Sequence, residues 1–500
     1  MPNPRTIPRR TFHKLTAAAA GAAFLPACSP RQYPPEPLRA PRDCNILCIV
    51  VDTLRADHLG AYGYGRPVSP FMDSLAASGL VFEDASSNSS YTRESVASIL
   101  SGRIPSRSGA FGWNTRLPAV NPNLANPASA TGRFSSFSTN HPNLSTPPYT
   151  NWLGFEHTAN AQRSFSSGRG MSLTRGVLNT IERNREQPFI AYVQYLDPHA
   201  PYQPPWDCRA RLGDEPLRDA LPFLHIRQNL PALLAEGFGP GDAQFVDMVK
   251  RYDAEILHTD DCIRALIEGI DRLGLSDNTL VVVTADHGEE FLEHGFVDHA
   301  WTVYQEVLRV PLIFHWPRCI APGRVDTPVS LVDLLPTFHA VADEAVEPGT
   351  FDGSTLLAWN DEQLEPVALS RPMTAQVLIQ ERCLVHAVRE GNLSYITWQR
   401  FEPPSERPRA SDERLERTRA LSSGELQRLE LDAPPVREEL YDLARDPFQQ
   451  EDVAPEQPEA LARMRARWRE QLAVGGEAPE EVPVEVDPAD REALEALGYA

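Results

Sequence analysis

An α/β fold with a central, mostly parallel sheet flanked by helices is predicted by three features of the sequence. Apolar runs suited to buried strands alternate with helix-period stretches from Asn45 to about Val341. Three of those runs stop abruptly at an acid or an acid–histidine pair. Beyond about Glu344 the texture changes to short strand candidates, which marks off a smaller C-terminal α+β subdomain.

The first run, Asn45 to Val51 (NILCIVV), leads into Asp52. Helical spacing follows over Pro70 to Ser78 and Glu94 to Ser101. A short strand is expected at Arg133 to Ser138, inside a Pro-, Asn- and Ser-rich stretch from Pro118 to Pro148 that otherwise favours loops. A helix over Leu173 to Arg185 precedes the run Pro188 to Leu196, which ends at Asp197 and His199. A long helix from Ala243 to Leu273 precedes Thr279 to Ala285 (TLVVVTA), which runs into Asp286-His287-Gly288. A strand at Val310 to Trp316 and a helix at Ser330 to Ala342 complete the large domain, 44–345.

The subdomain, 346–475, holds strand candidates at Cys383 to Arg389 and Leu393 to Trp398 and an amphipathic Arg-rich helix at Pro458 to Leu472. Its charged stretch, 402–439, has few large apolar residues and is expected as an insertion or irregular loop. The last segment, 476–500, reads as an acidic tail.

The N-terminus reads as an address. Arg9-Arg10-Thr11-Phe12-His13-Lys14 resembles a twin-arginine export signal, and the Ala-rich apolar segment Leu15 to Phe24 is too short to span a membrane. It ends in Leu25-Pro26-Ala27-Cys28, which looks like a bacterial lipoprotein cleavage box, against the simpler reading of a cleaved signal with a chance cysteine. On the first reading the chain is exported and lipid-anchored through Cys28 in the cell envelope, with 29–43 as a linker. The net charge of −21 argues against nucleic acid or an anionic membrane surface as the main partner. The remaining cysteines, Cys44, Cys48, Cys208, Cys262, Cys319 and Cys383, show no metal-type pairing; burial suits Cys48, and an exported protein leaves room for a disulfide elsewhere.

In a parallel sheet the carboxyl ends of the strands share one edge, so Asp52, Asp197, His199, Asp286 and His287 are expected to converge there. Asp52 suits a divalent cation as a hard oxygen ligand, although an acid at a strand end also serves to cap a helix. Asp286 and His287 add an oxygen and a nitrogen ligand, with Gly288 allowing a close backbone approach to metal or substrate. Thr92 lies just before the helical run at Glu94, where the helix N-terminus stabilises an alkoxide or an anion; helix capping is the commoner use of such a residue. His199, His294 and His299 are candidates for leaving-group protonation or oxyanion contact, each also explicable as structural. Arg93 is placed to meet a tetrahedral anion, Arg103 reads more simply as exposed, and Asp57 and His58 as supporting or surface residues.

Taken together, VDTLRADHLGAYGY, SGRIPSRSG, LDPHAPY, DNTLVVVTADHGE, EHG, YQEVLRVPLIF and ELYDLARDPFQQEDVA resemble the sulfatase family within the alkaline phosphatase superfamily, over Asn45 to about Val453. The resemblance implies an alkaline-phosphatase-like domain and one divalent metal on Asp52, Asp286 and His287, with Thr92 as a further ligand and at the nucleophile position. Beside that set, the reading of the residues gives His199 and His299 catalytic roles and Arg93 and His294 substrate contacts. Calcium is the ion the family implies, while the His287 nitrogen favours manganese or zinc; a second metal on Asp197, His199 or His299 is an open alternative.

The sequence departs from the pattern at the nucleophile. Typical members carry there the Cys or Ser of C/S-x-P-S-R, which is oxidised to formylglycine; this chain has Thr92-Arg93-Glu94-Ser95-Val96. Threonine cannot form the hydrated aldehyde that expels sulfate, so the implied chemistry is hydrolysis of an anionic sulfate or phosphate ester through a covalent Thr92 ester, with phosphoryl transfer favoured. Transfer of a phospho-headgroup to an envelope glycan or lipid, and an inactive envelope-binding protein, are the alternatives. Several N-terminal spanning helices of typical transferases are missing, and the intact ligand set weighs against inactivity.

Overall fold

The computed structural model describes residues 43–112, 115–125, 128, 131–145, 155–160, 170–361, 363–379, 383–400, 435–473 and 482–483. The expected signal, Cys28 and most of the linker lie outside the described residues, as do most of the charged stretch and most of the tail.

A nine-stranded sheet forms the centre. Its strands are β1 (Asn45–Val51), β2 (Leu80–Ser86), β3 (Phe134–Thr139), β4 (His157–Asn160), β5 (Phe189–Tyr195), β6 (Thr279–Ala285), β7 (Arg309–His315), β8 (Gly323–Val325) and β9 (Val329–Ser330). They lie in the order β8-β2-β7-β6-β1-β5-β3-β4, with β9 also on β2. β6, β1, β5, β3 and β4 are mutually parallel, and β7 runs antiparallel to both β6 and β2. β1, β5 and β6 are buried along their whole length. This explains their unbroken apolar runs: a parallel strand covered on both faces has no solvent side to alternate with. Each Val or Ile so buried contributes about 1.5–3 kcal/mol.

Register then brings the strand ends together. Val51 pairs with Ala285 on one side and with Tyr195 on the other, so Asp52 and Asp286 emerge side by side. Because β7 reverses direction between β6 and β2, β2 delivers its carboxyl end to the same edge, and the chain continues through 87–90 into the helix that carries Thr92.

The helices of six residues or more are, among the described residues, α1 (Pro70–Ala77), α2 (Thr92–Ser101), α3 (Gly170–Arg183), α4 (Trp206–Arg211), α5 (Phe223–Ala235), α6 (Ala243–Arg272), α7 (Leu334–Val341) and α8 (Pro458–Ala473). α4 and α5 fill a region the sequence left without regular structure. α2 is buried at every position. Its serines return their hydroxyls inward, Ser98 to the Glu94 carbonyl and Ser101 to Ala97, so a polar sequence can be a core helix. α6 starts at Asp242, whose carboxylate accepts the amides of Gln244 and Phe245. Its Tyr252 hydroxyl donates to the Thr53 carbonyl at 2.7 Å, bracing the loop after β1.

The C-terminal region is an antiparallel sheet of β10 (Met373–Ile379), β11 (Cys383–Glu390), β12 (Leu393–Arg400) and β13 (Arg437–Asp442), with α8 packed on it through Met464 and Trp468. The expected irregular stretch therefore ends in a strand: Arg437, Glu438 and Glu439 belong to β13, whose pairing with β12 outweighs their charge. Within the acidic tail, Val482–Pro483 pairs with Thr115–Arg116. Among the described residues the six cysteines are free, with Cys44, Cys48, Cys208, Cys262 and Cys319 buried, and no helix is long and apolar enough to cross a membrane.

Candidate active site

Asp52, Asp286 and His287 meet at the carboxyl edge of β1 and β6, all three fully buried. The Asp286 Oδ1 accepts the His287 amide at 2.9 Å and the Thr53 amide at 3.3 Å. The Gln194 side-chain amide donates to both carboxylates, at 3.2 Å to Asp52 Oδ2 and 3.1 Å to Asp286 Oδ2. The second Asp52 oxygen, Oδ1, is buried without a hydrogen-bond partner.

His287 has its tautomer set by its neighbour. Its Nδ1 donates to the Gly288 carbonyl at 2.9 Å, which leaves the Nε2 lone pair facing inward, 4.0 Å from Asp52 Oδ1 and 3.8 Å from Asp286 Oδ2. Burial holds the imidazole well below its usual pKa, hence neutral, the form that ligates metal. Burial, reinforced by Asp286, raises Asp52 well above the carboxylate range, and burial pushes Asp286 up to about 7. Two acids crowded in a dry site beside a neutral nitrogen and an orphaned oxygen are a donor set that a divalent cation satisfies. The residues present fit such an ion.

Thr92 Oγ1 lies 3.2 Å from His287 Nε2. The helix begins at Thr92 itself rather than at Glu94; Tyr91 is the cap residue and makes no side-chain capping bond. Thr92 is therefore in the first turn of a buried helix, and capping does not account for it. Ser95 on the same helix donates to the Asp286 carbonyl at 2.6 Å, which ties the Thr92 helix to the end of β6.

Three further histidines surround this group. His199 follows β5, with its Nδ1 donating to the Ala200 carbonyl at 2.6 Å. The His299 ring lies 4.8 Å from that of His199 and 4.5 Å from that of His287, centre to centre. His141, which sequence reasoning missed, follows the end of β3; its Nδ1 accepts the Asn143 amide at 3.0 Å, so its Nε2 carries the proton, 3.1 Å from Asp52 Oδ2. Burial keeps His141 and His199 neutral. For His299 burial opposes the charge, but the carboxylates of Glu289 and Asp298, each 3.1 Å from Nδ1, outweigh it and raise the pKa.

Sequence reasoning put other residues less well. His294 stands apart from Thr92: Nδ1 meets Glu306 at 2.5 Å, Nε2 meets the Gln449 carbonyl at 2.9 Å and the ring stacks on Tyr304. Both nitrogens are thereby committed between the large domain and the C-terminal region. The close approach at Gly288 is to protein, because a Cβ there would lie 2.1 Å from the Glu306 carbonyl oxygen. Asp197 is in none of the groups of metal-type side chains among the described residues. Arg93 is buried beside His141, its Nε donating to the Asn143 carbonyl at 3.3 Å. Arg103 is half-buried, bonded to the Thr350 carbonyl and to Asn121, and so is structural rather than exposed. Asp57 pairs with Arg55, and buried His58 with Asp253.

A partial signal for His141 was present: a short strand, Phe134–Thr139, with a histidine two residues after its end. Gln194 too was visible, as an amide inside an apolar strand. Nothing in the sequence pointed to Thr53, whose φ of 53° is rare for a β-branched residue and turns its amide toward Asp286.

A family model described as Sulfatase matches residues 44–344, more than half of the chain. This chain belongs to the sulfatase family. Its members and relatives make it a sulfuric or phosphoric ester hydrolase. Human arylsulfatase A is 28% identical over 352 residues, which cover 64% of this sulfatase and 68% of the human enzyme. Among solved structures, the Silicibacter pomeroyi phosphonate monoester hydrolase superposes with a TM-score of 0.66 at 20% identity, covering 87% of this chain and 96% of that one. A protein solved with its substrate D-glucosamine-2-N,6-O-disulfate gives 0.65 at 16% identity, covering 87% and 99%. At these identities the two structures establish the shared fold.

Proposed function

We propose that this sulfatase-family protein hydrolyses anionic phosphate or sulfate esters, with phosphoryl transfer preferred, through a covalent ester on Thr92. The observation that carries the reading is Thr92 Oγ1 at 3.2 Å from His287 Nε2, beside the Asp52 and Asp286 carboxylates, where most of the family has a residue that becomes an aldehyde hydrate. Asp52, Asp286, His287 and Thr92 would hold the divalent ion, which when bound supplies positive charge that favours the ionised hydroxyl and polarises the ester.

Thr92 Oγ, its proton released to solvent, attacks phosphorus or sulfur in line, and the bond to the alcohol oxygen breaks. His299, raised in pKa by Glu289 and Asp298, gives the departing oxygen its proton, while His199, neutral with its Nδ1–H on the Ala200 carbonyl, keeps its Nε2 unprotonated. Water then gives a proton back to His299 and attacks the Thr92 ester, which frees the anion and returns the Thr92 oxygen. The sulfated sugar bound by the structural neighbour supports an anionic ester as substrate. We place the protein in the cell envelope, exported and lipid-anchored at Cys28; labelling with a fatty acid that persists in Cys28→Ser would refute the anchor.

Parallel assays of the purified protein with aryl sulfate, aryl phosphate and a phosphate diester test the reading, each run with calcium, manganese and zinc. Phosphate or diester turnover exceeding sulfate turnover, and dependent on Thr92, is expected. Sulfate turnover in excess, dependent on Thr92, refutes the phosphoryl preference.

A further inference from the structure

We propose that Arg227, on α5 and outside the Thr92 cluster, is a positioning residue that holds His299 in its working orientation by gripping the residues on either side of it. The inference rests on the reading above, in which His299 serves the departing alcohol.

His299 is presented by an unusual stretch of backbone. Asp298 has a φ of 90° and Ala300 a φ of 65°, so left-handed residues flank the histidine on both sides. Side chains other than glycine occupy that region only where surrounding contacts over-determine it. Some of those contacts are local: the Ala300 amide donates to the Ser90 carbonyl at 2.9 Å, and Asp298 pairs with Glu290 in a short antiparallel ladder.

A further restraint comes from Arg227, 71 residues earlier than Asp298 in the sequence. The Asp298 carboxylate is shared: Oδ1 lies 3.1 Å from His299 Nδ1 and Oδ2 2.7 Å from Arg227 Nε. The pair is 19% and 5% exposed, so little water screens it. The same guanidinium lies 5.8 Å from the centre of the Trp301 ring. One side chain thus fixes the residue before His299 and the second residue after it.

Two acids face the imidazole, and each has its other oxygen held. Glu289 and Asp298 both lie 3.1 Å from His299 Nδ1, and one N–H cannot satisfy two carboxylates. Arg227 takes the free oxygen of Asp298, and Tyr202 donates to the other oxygen of Glu289 at 2.7 Å. Nδ1 is then held from two sides, with the ring 4.8 Å from that of His199 and 4.5 Å from that of His287, centre to centre. Without Arg227 the Asp298 carboxylate has an unmatched oxygen and the left-handed backbone loses an anchor.

The test uses the full chain with Arg227→Met, which keeps the stem and removes the charge, and Arg227→Lys as the conservative variant. For an ester of a poor leaving alcohol, kcat should fall about 10–100-fold in Arg227→Met, the range for losing an outer support of a working group. The loss should be smaller for a nitrophenyl ester, whose alcohol leaves without needing a proton, KM and bound metal should change little, and Arg227→Lys should recover most of the rate. Wild-type rates on both esters, or equal losses on both, overturn the proposal. An independent readout is the ring-nitrogen chemical shifts of His299 in metal-loaded protein, assigned by loss of the signal in His299→Gln. They should move in Arg227→Met and largely return in Arg227→Lys; shifts unchanged in Arg227→Met overturn the proposal, whatever the substrate proves to be. A wild-type protein inactive on every ester refutes the proposed function and leaves that second readout to decide the role of Arg227.

Discussion

Thr92 Oγ1 and His287 Nε2 stand 3.2 Å apart although 195 residues separate them in sequence. β2 delivers one and β6 the other to the same sheet edge, so the fold itself assembles a hydroxyl beside a metal-type nitrogen. Thr92→Ala should lower kcat by at least about a thousandfold, as loss of a nucleophile does. Thr92→Ser should retain measurable turnover, since it keeps the hydroxyl. Steady-state rates with the preferred ester check both; undiminished turnover in the alanine variant removes the covalent route.

Gln194 bridges the two carboxylates with one amide, at 3.2 and 3.1 Å. Replacing it with leucine leaves Asp52 and Asp286 without that shared donor and frees their orientation. Metal affinity should weaken by about 10–100-fold, the usual cost of losing a hydrogen bond behind a ligand. Titration of chelator-stripped protein with manganese or zinc, followed by the rise in melting temperature, measures it. Equal affinity in Gln194→Leu and wild type counts against the amide as an orienting group.

Gly288 packs its α-carbon against Glu306, in the short helical turn Gln305–Leu308 that leads into β7. A methyl group there meets the Glu306 carbonyl oxygen at 2.1 Å, so Gly288→Ala must push the His287 turn away. A stability loss of about 1–3 kcal/mol is expected from such overpacking. Urea unfolding measures this, and metal affinity should fall with it because His287 moves. A variant of wild-type stability would show that the turn has slack.

His386 accepts the Trp468 indole N–H at 3.0 Å and joins α8 to the C-terminal sheet. Burial holds its pKa down to about 3. Between that value and the ordinary one near 6.5 the unfolded chain binds the extra proton, so stability present above pH 6.5 is lost as pH falls. Between pH 7 and pH 5 the loss from this residue is about 2 kcal/mol. His386→Gln keeps an acceptor and cannot titrate; urea midpoints should show it losing less than wild type over that interval. Parallel losses in the two proteins would assign the acid sensitivity elsewhere.

The strands that carry Asp52 and Asp286 were legible because burial on both faces leaves an unbroken apolar run, and a charged residue ending such a run stands out. His141 escaped because β3, FSSFST, is polar for a strand buried throughout, so its end did not look like a sheet edge. Arg437 to Glu439 read as loop because charge was weighed without the partner strand that pairs them. His294 shares the short string around Glu293 and Gly295 with residues near the site, and only three-dimensional packing shows its ring turned toward Glu306 and Gln449. Arg227 has no local signature, since its meaning lies in a contact with Asp298.

The central claim is that Thr92 becomes esterified during turnover. Acid quenching of metal-loaded protein in its first turnovers with an aryl phosphate, then peptide mass spectrometry, tests this most directly. The account expects a phosphoryl group on Thr92, absent from Thr92→Ala, and an early burst of alcohol release where ester hydrolysis is the slower step. A phosphoryl group on another side chain, or full turnover in Thr92→Ala, would contradict it.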